Sequence, residues 1–97
     1  MAYLVVTHLS DTHAHGTEGE RVEEELAALG LLSCLVDSRD EAHVLPPGTY
    51  AGVVEGPTAQ ATLRQFTQAV REVVGRARPG TRVLVSVGGH SGLRTAA

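Results

Sequence analysis

The sequence predicts one α+β domain with the element order β-α-β-β-α-β. Four apolar, β-branched segments lack a helical period, two longer segments repeat apolar residues at helical spacing, and turn residues separate the six. A chain of 97 residues can bury one small core and is too short for two catalytic lobes or a large barrel. We expect residues 1–90 to form this domain and residues 91–97 to form a frayed C-terminal tail.

The first half of the chain supplies a strand, a helix and a second strand. Residues 2–9 are apolar and β-branched, which predicts a buried central strand. Thr17 and Glu20 have the spacing of a capping box, and apolar residues follow at helical spacing. Gly30 then supplies the left-handed residue that ends this helix. Residues 31–36 predict the second strand.

The second half supplies two more strands and a longer helix. Residues 43–48 contain two adjacent prolines, so they predict an irregular connection. Residues 49–55 predict the third strand, and Pro57 stands near the start of the second helix. Residues 82–87 predict the fourth strand, whose valines alternate inward. The predicted core face of the second helix consists of Leu63, Phe66, Val70, Val73, Val74 and Ala77.

The simplest packing of these elements is the ferredoxin-like arrangement. In that α/β sandwich, a four-stranded antiparallel sheet has the order 4-1-3-2 and both helices cover one face. The other face then has no helical cover. We expect it to carry one parity of Leu31, Ser33 and Leu35, together with Leu84. Such an apolar face favours a homodimer, formed sheet to sheet or edge to edge.

Composition excludes several classes of function. Aromatic residues make up 3% of the chain, too few for a surface that stacks single-stranded nucleic acid. A single cysteine, Cys34, excludes an intrachain disulfide and a multi-cysteine zinc site. No apolar run approaches about 18 residues, and no charged-then-apolar leader is present. We therefore expect a soluble, cytoplasmic protein with no membrane partner.

Charge is divided unevenly along the chain. Residues 1–56 hold two arginines against ten acidic residues, a balance of −8, whereas residues 57–97 hold six arginines against one, a balance of +5. The net charge of −3 disfavours nonspecific nucleic-acid binding. The two halves either form solvated helix faces that attract each other or a second subunit, or they present arginines to phosphate or to a protein partner. The arginines of the second interpretation are Arg64, Arg71, Arg78 and Arg82.

The densest group of chemically active side chains follows the first strand. His8, Asp11, His13 and His15 lie within eight residues, and in the predicted sheet the loop with His43 opens at the same end. Imidazole and carboxylate ligands suit Mn, Zn or Ni, so Asp11, His13, His15 and His43 are candidate metal ligands. The candidate catalytic residues are His8 and Asp11, although His8 also fits an ordinary strand position. The alternative is a histidine-bearing loop that binds no metal.

The segment that runs from His8 to His13 also resembles a known motif. Its Asp11-Thr12-His13 is similar to the first motif of the calcineurin-like metallophosphoesterases, in which an aspartate and a histidine ligate a two-metal centre. The other motifs of that family are absent from the sequence. We therefore interpret this local match as a coincidence.

The layout of the whole chain resembles a second family. Residues 3–6, 32–36 and 45–50, with two helices and a valine-rich last strand, are similar to the small ferredoxin-fold endoribonucleases of CRISPR adaptation and their toxin–antitoxin relatives. The resemblance implies a dimer. In members with nuclease activity it also implies an aspartate near the end of strand one that helps to hold a divalent ion. His8 stands at that position here, and Asp11 follows three residues later.

Three functions remain open from the sequence. The first is a small homodimeric interaction or regulatory module without robust catalysis, which the size, the uncovered sheet face and the charge asymmetry favour. The second is a metal-dependent nuclease or phosphodiesterase with Asp11, His13 and His8 as ligands and Arg78 or Arg82 against phosphate. The third is a protein that binds a metal or small ligand with the same histidines and turns nothing over.

Overall fold

The computed structural model describes residues 1–10, 17–77, 80–89 and 92–95, with side chains described outside 17–20 and 94–95. Two helices and six strands are present in this part of the chain. In chain order they are β1 (Ala2–Leu9), α1 (Thr17–Ala28), β2 (Cys34–Val36), β3 (Ala42–Val44), β4 (Thr49–Glu55), α2 (Ala59–Ala77), β5 (Val83–Gly88) and β6 (Arg94–Thr95).

The first sheet is antiparallel and has the strand order β4-β1-β5. Its central strand is β1, the strand with the uninterrupted apolar sequence. Alternate residues of β1 meet different surroundings: Val5 and Leu9 are buried, whereas His8 is exposed. The buried set packs against both helices, which therefore cover the same face of the sheet. The hydrophobic core consists of Val5 and Leu9 together with Val22, Leu26, Leu31, Phe66, Val70, Val73 and Val74.

The predicted four-stranded sheet of order 4-1-3-2 is wrong, and so is the ferredoxin-like arrangement. The second predicted strand meets β4 through a single bridge, in which Leu32 and Ala51 exchange backbone hydrogen bonds of 2.9 and 2.8 Å. Directly after this bridge the carbonyl of Ser33 accepts the Leu45 amide at 2.8 Å. After this bond the segment pairs with β3 and β6 instead of with β4, and the three strands form a second sheet of order β3-β2-β6. The α+β class and the two helices agree with the sequence.

The second sheet uses residues that the sequence analysis assigned to a connection and to the tail. Within the predicted connection 43–48, only the part after Val44 is irregular, because Ala42–Val44 pair with β2. Thr49 donates its amide to the Pro46 carbonyl at 3.0 Å, and Gly48 has a φ of 83°. These are the features of a type II turn, which needs glycine at its third position. Arg94–Thr95, predicted as tail, pair with β2.

Capping hydrogen bonds are present at the C-terminal end of α1 and at the N-terminal end of α2. Gly30 has a φ of 88°, and the Leu31 amide bonds to the Leu26 carbonyl at 2.9 Å, which confirms the predicted left-handed end of α1. At the start of α2, Thr58 Oγ1 accepts the Ala61 amide at 3.0 Å. Thr58 is therefore the N-cap, and Pro57 precedes the cap instead of occupying the first helical position.

The core differs from its prediction at particular side chains. Leu63 of α2 is 36% exposed, whereas Thr62 is fully buried and bonds to the Thr58 carbonyl at 2.7 Å. Leu31, predicted for the uncovered sheet face, is fully buried in the helix-side core, and Leu35 is buried as well. Leu84 is 68% exposed, as predicted. Neither described helix combines the length and apolar character that a membrane crossing requires.

Candidate interaction edge and metal cluster

Among the described residues, the outer side of β5 is an unpaired sheet edge. The Ser10 amide donates to the Arg82 carbonyl at 3.0 Å, so the even-numbered residues of this segment direct their backbone groups toward β1. Antiparallel pairing alternates these directions. The N–H and C=O groups of Val83, Val85 and Val87 therefore point away from β1, and we term this row the β5 edge. Among the described strands, none pairs with it.

The β5 edge has none of the usual protection in its sequence. Natural proteins blunt sheet edges with charged residues, prolines, bulges or a covering segment. Residues 83–88 contain neither a charge nor a proline. The opposite edge of the sheet differs, because Ala51 of β4 bonds there to Leu32. Within the part of the chain that the structure describes, the β5 edge is thus open to pairing with another strand.

The side chains of β5 divide between the two faces of the sheet. Leu84 and Ser86 are exposed on the face that the helices leave open, while Val83, Val85 and Val87 lie half-buried against the core. An added strand would therefore meet an apolar side chain on each face.

His8 has an ordinary partner within the sheet. Its Nδ1 lies 3.0 Å from Thr49 Oγ1, and the two residues are cross-strand neighbours in the β1–β4 register. Both side chains lie on the open face at the rim. The catalytic role of His8 stays a prediction, since its proposed companion Asp11 lies outside the described residues.

The turn of the β2–β3 hairpin is closed by Asp37. Its Oδ1 accepts the amides of Arg39 and Glu41 at 2.8 and 3.0 Å, and its Oδ2 lies 2.8 Å from His43 Nε2. The hydrogen bond from His43, followed by the two amide bonds, lowers the pKa of the Asp37 carboxyl below its ordinary value of 3.8. Asp40 accommodates the tight turn with a φ of 62°.

The same hairpin gathers three side chains that could ligate a metal. One ligand atom each from Asp37, Glu41 and His43 lies within 4.8 Å of the others. Of the predicted ligands, His43 belongs to this cluster, while Asp11, His13 and His15 lie outside the described residues. Asp37 and Glu41 were not among the predicted ligands. The signal for them was the polar turn between two apolar segments, which is typical of a hairpin and brings residues six apart into contact.

Asp37 should make stability depend on pH in the acid range. Since its folded pKa lies below 3.8, its contribution is complete above that value and is lost as the pH falls through and below it. We expect Asp37→Asn to be less stable than the wild type at neutral pH, with a difference that narrows toward pH 3 and below. Urea unfolding at a series of pH values measures this. Glu24→Gln, which alters an exposed carboxylate of α1, is the control, and a difference independent of pH would contradict the prediction.

The candidate phosphate or partner arginines lie on different elements. Arg64 and Arg71 share an exposed face of α2, which borders an open depression of about 610 Å³. Within the described residues neither forms an ion pair. Arg76, by contrast, lies 3.8 Å from Glu25 of α1, so an exposed ion pair joins the two helices at this point. Arg82 is exposed just before β5, and Arg78 lies outside the described residues.

Comparison of this chain with protein-family models, curated proteins and solved structures finds no match. The resemblance to the small endoribonucleases therefore stays a prediction, and so does the position that it gives to His8.

Proposed function

We propose that this chain is a small protein-interaction module without robust catalysis, and that it binds by the addition of a strand to the β5 edge. The unpaired backbone row of Val83, Val85 and Val87 supports this proposal. Strand addition satisfies such groups with main-chain hydrogen bonds, and the alternating side chains provide specificity. The homodimer predicted from the sequence belongs to this proposal.

Strand addition at β5 would gain free energy from two sources, the free backbone groups and the exposed Leu84 side chain. Water already solvates the free backbone groups, so each new hydrogen bond contributes only about 1 kcal/mol. Burial of the exposed Leu84 side chain adds about 25 cal/mol for each Å² removed from water. Several backbone hydrogen bonds together with the burial of Leu84 favour a moderate affinity for the added strand.

A labelled peptide tests this proposal. The probe is the end-blocked sequence of residues 82–89, added to dilute full-length protein and followed by fluorescence anisotropy. We expect saturable binding that weakens at least about tenfold in Leu84→Lys/Ser86→Lys, since charges on an edge oppose pairing. Val44→Lys is the matched control, because Val44 is a strand residue that is 84% exposed on β3. No saturable binding, or equal weakening in the control, would reject strand addition at β5.

A second candidate function is the binding of a divalent metal at Asp37, Glu41 and His43. The observation that favours it is the approach of their ligand atoms to within 4.8 Å, and Zn, Mn or Ni suits this mixture of donors. Calorimetric titration of metal-stripped protein tests it: we expect binding by the wild type and loss of binding in His43→Gln. If Asp11→Ala/His13→Ala loses the metal instead, the ligands include Asp11 and His13, which follow β1 in the sequence. A nuclease or phosphodiesterase stays a prediction, because its proposed ligands Asp11 and His13 lie outside the described residues.

A further inference from the structure

We infer that the strand added to the β5 edge is β5 of a second copy of this chain, antiparallel to the first across a two-fold axis at Val85. This inference rests on the proposed function and names its partner. The two first sheets would then join into one continuous sheet with β1 and β4 of each copy on either side.

The backbone of β5 is complementary to itself in this arrangement. About an axis at Val85, Val83 faces the partner's Val87, and Val85 faces its own copy. These are the residues whose N–H and C=O groups point outward. Each facing pair can therefore exchange two hydrogen bonds, the pattern of an antiparallel ladder. Because the same patch serves both copies, the contact is isologous and closes as a dimer.

The side chains on both faces of β5 are also compatible with a two-fold axis at Val85. On the open face, Leu84 comes opposite the partner's Ser86, so a large exposed side chain meets a small one. On the helix face the half-buried valines form β-branched cross-strand pairs, which stabilise a sheet. Residues 83–88 carry no charge, so no like charges face each other along the two strands. The net charge of −3 on each copy is therefore not concentrated at the contact.

The structure favours this edge contact over a sheet-to-sheet contact. On the open face Leu4 and Val6 are already half-buried, and the rim carries the polar pair of His8 and Thr49. Among the described residues of the first sheet, Leu84 is the most exposed large hydrophobic side chain, and it belongs to β5 itself. Exposed apolar area and free hydrogen-bonding groups thus coincide at one edge.

Light scattering of the full-length chain over a range of concentrations tests the inference. We expect a reversible monomer–dimer equilibrium in the wild type. In Leu84→Lys/Ser86→Lys the dissociation constant should rise at least about tenfold, since each dimer would place four lysines along the joined edges. Val44→Lys should leave the dimer unchanged. Thermal unfolding confirms that each variant folds, and Ser86→Lys alone replaces the double variant if the latter does not.

The outcomes separate this inference from the proposed function. A dimer that the lysine variant loses and Val44→Lys keeps supports both. A wild type that stays monomeric overturns the second copy as partner. If the 82–89 peptide still binds in that case, the β5 edge remains an interaction surface for another extended chain. A dimer that survives Leu84→Lys/Ser86→Lys but is lost in Val44→Lys also overturns the inference, because its interface then lies on β3.

Discussion

Replacement of Leu31 by alanine is expected to destabilise the protein by about 2–5 kcal/mol, the usual cost of such a change at a buried leucine. Leu31 is fully buried and belongs to the helix-side core, where it follows the capped end of α1. The free energy of unfolding in urea measures the effect. A loss of this size would be a large fraction of the stability that a domain of about 100 residues has.

Leu63→Ala is the matched control for Leu31→Ala. Leu63 is 36% exposed on α2, and alanine is a better helix former, so we expect a change within about 0.5 kcal/mol. The sequence pattern alone predicts that Leu63→Ala costs more stability than Leu31→Ala, because it places Leu63 in the core and Leu31 on the uncovered sheet face. Equal losses in the two variants would contradict the positions that the structure gives to both leucines.

Replacement of Gly56 by alanine is expected to destabilise the protein by about 1–3 kcal/mol, the cost of overpacking. A Cβ at this position would overlap Thr62 Oγ1. Thr62 cannot easily yield, since its side chain is fully buried and bonds to the Thr58 carbonyl at 2.7 Å, and β-branched side chains are stiff. The midpoint of urea unfolding measures the loss.

Two further variants test the reason for that loss. Gly75→Ala, in the interior of α2 where a new Cβ meets nothing within 4 Å, should instead stabilise by about 0.5–1 kcal/mol. In Gly56→Ala/Thr62→Ala the obstructing oxygen is gone, so the double variant should lose less than the sum of the two single changes. Additive losses would show that the overlap with Thr62 is not the cause.

Much of the first sheet and both helices could be predicted from the sequence. β1, β4 and β5 are long enough for their apolar residues to show a strand pattern, and α2 repeats its apolar residues over 19 positions. Gly30 predicts the end of α1, because the left-handed conformation that ends a helix favours glycine. These elements are specified by local properties, namely periodicity and the special conformations of single residues.

The second sheet could not be predicted because its strands are too short to show a period. β2 and β3 have three residues each and β6 has two. After Leu32 the segment leaves β4, and the Leu45 amide bonds to the Ser33 carbonyl where the β2–β3 pairing begins. The pairing of β6 with β2 joins residues about sixty positions apart. Local sequence patterns do not predict pairing between short strands that lie so far apart in the chain.

The candidate sites were predicted unevenly for the same reasons. The proposed strand order already placed the valine-rich last strand at an edge of the sheet, and β5 does lie there. The sequence also singled out His43 as a ligand, but Asp37 and Glu41 were not among the predicted ligands, since the hairpin that brings their side chains to His43 was missed. The exposed positions of Arg64 and Arg71 follow from helical spacing alone.

The most direct test of the β5 edge as a binding surface is amide hydrogen exchange in β5 at low and high protein concentration. Leu84 and Ser86 direct their amides toward β1, so we expect them to be protected at every concentration. The amides of Val83, Val85 and Val87 should exchange rapidly in dilute protein and become protected as a second copy adds its strand. Rapid exchange of these three amides at every concentration would contradict the dimer, and their protection even at high dilution would contradict the free edge.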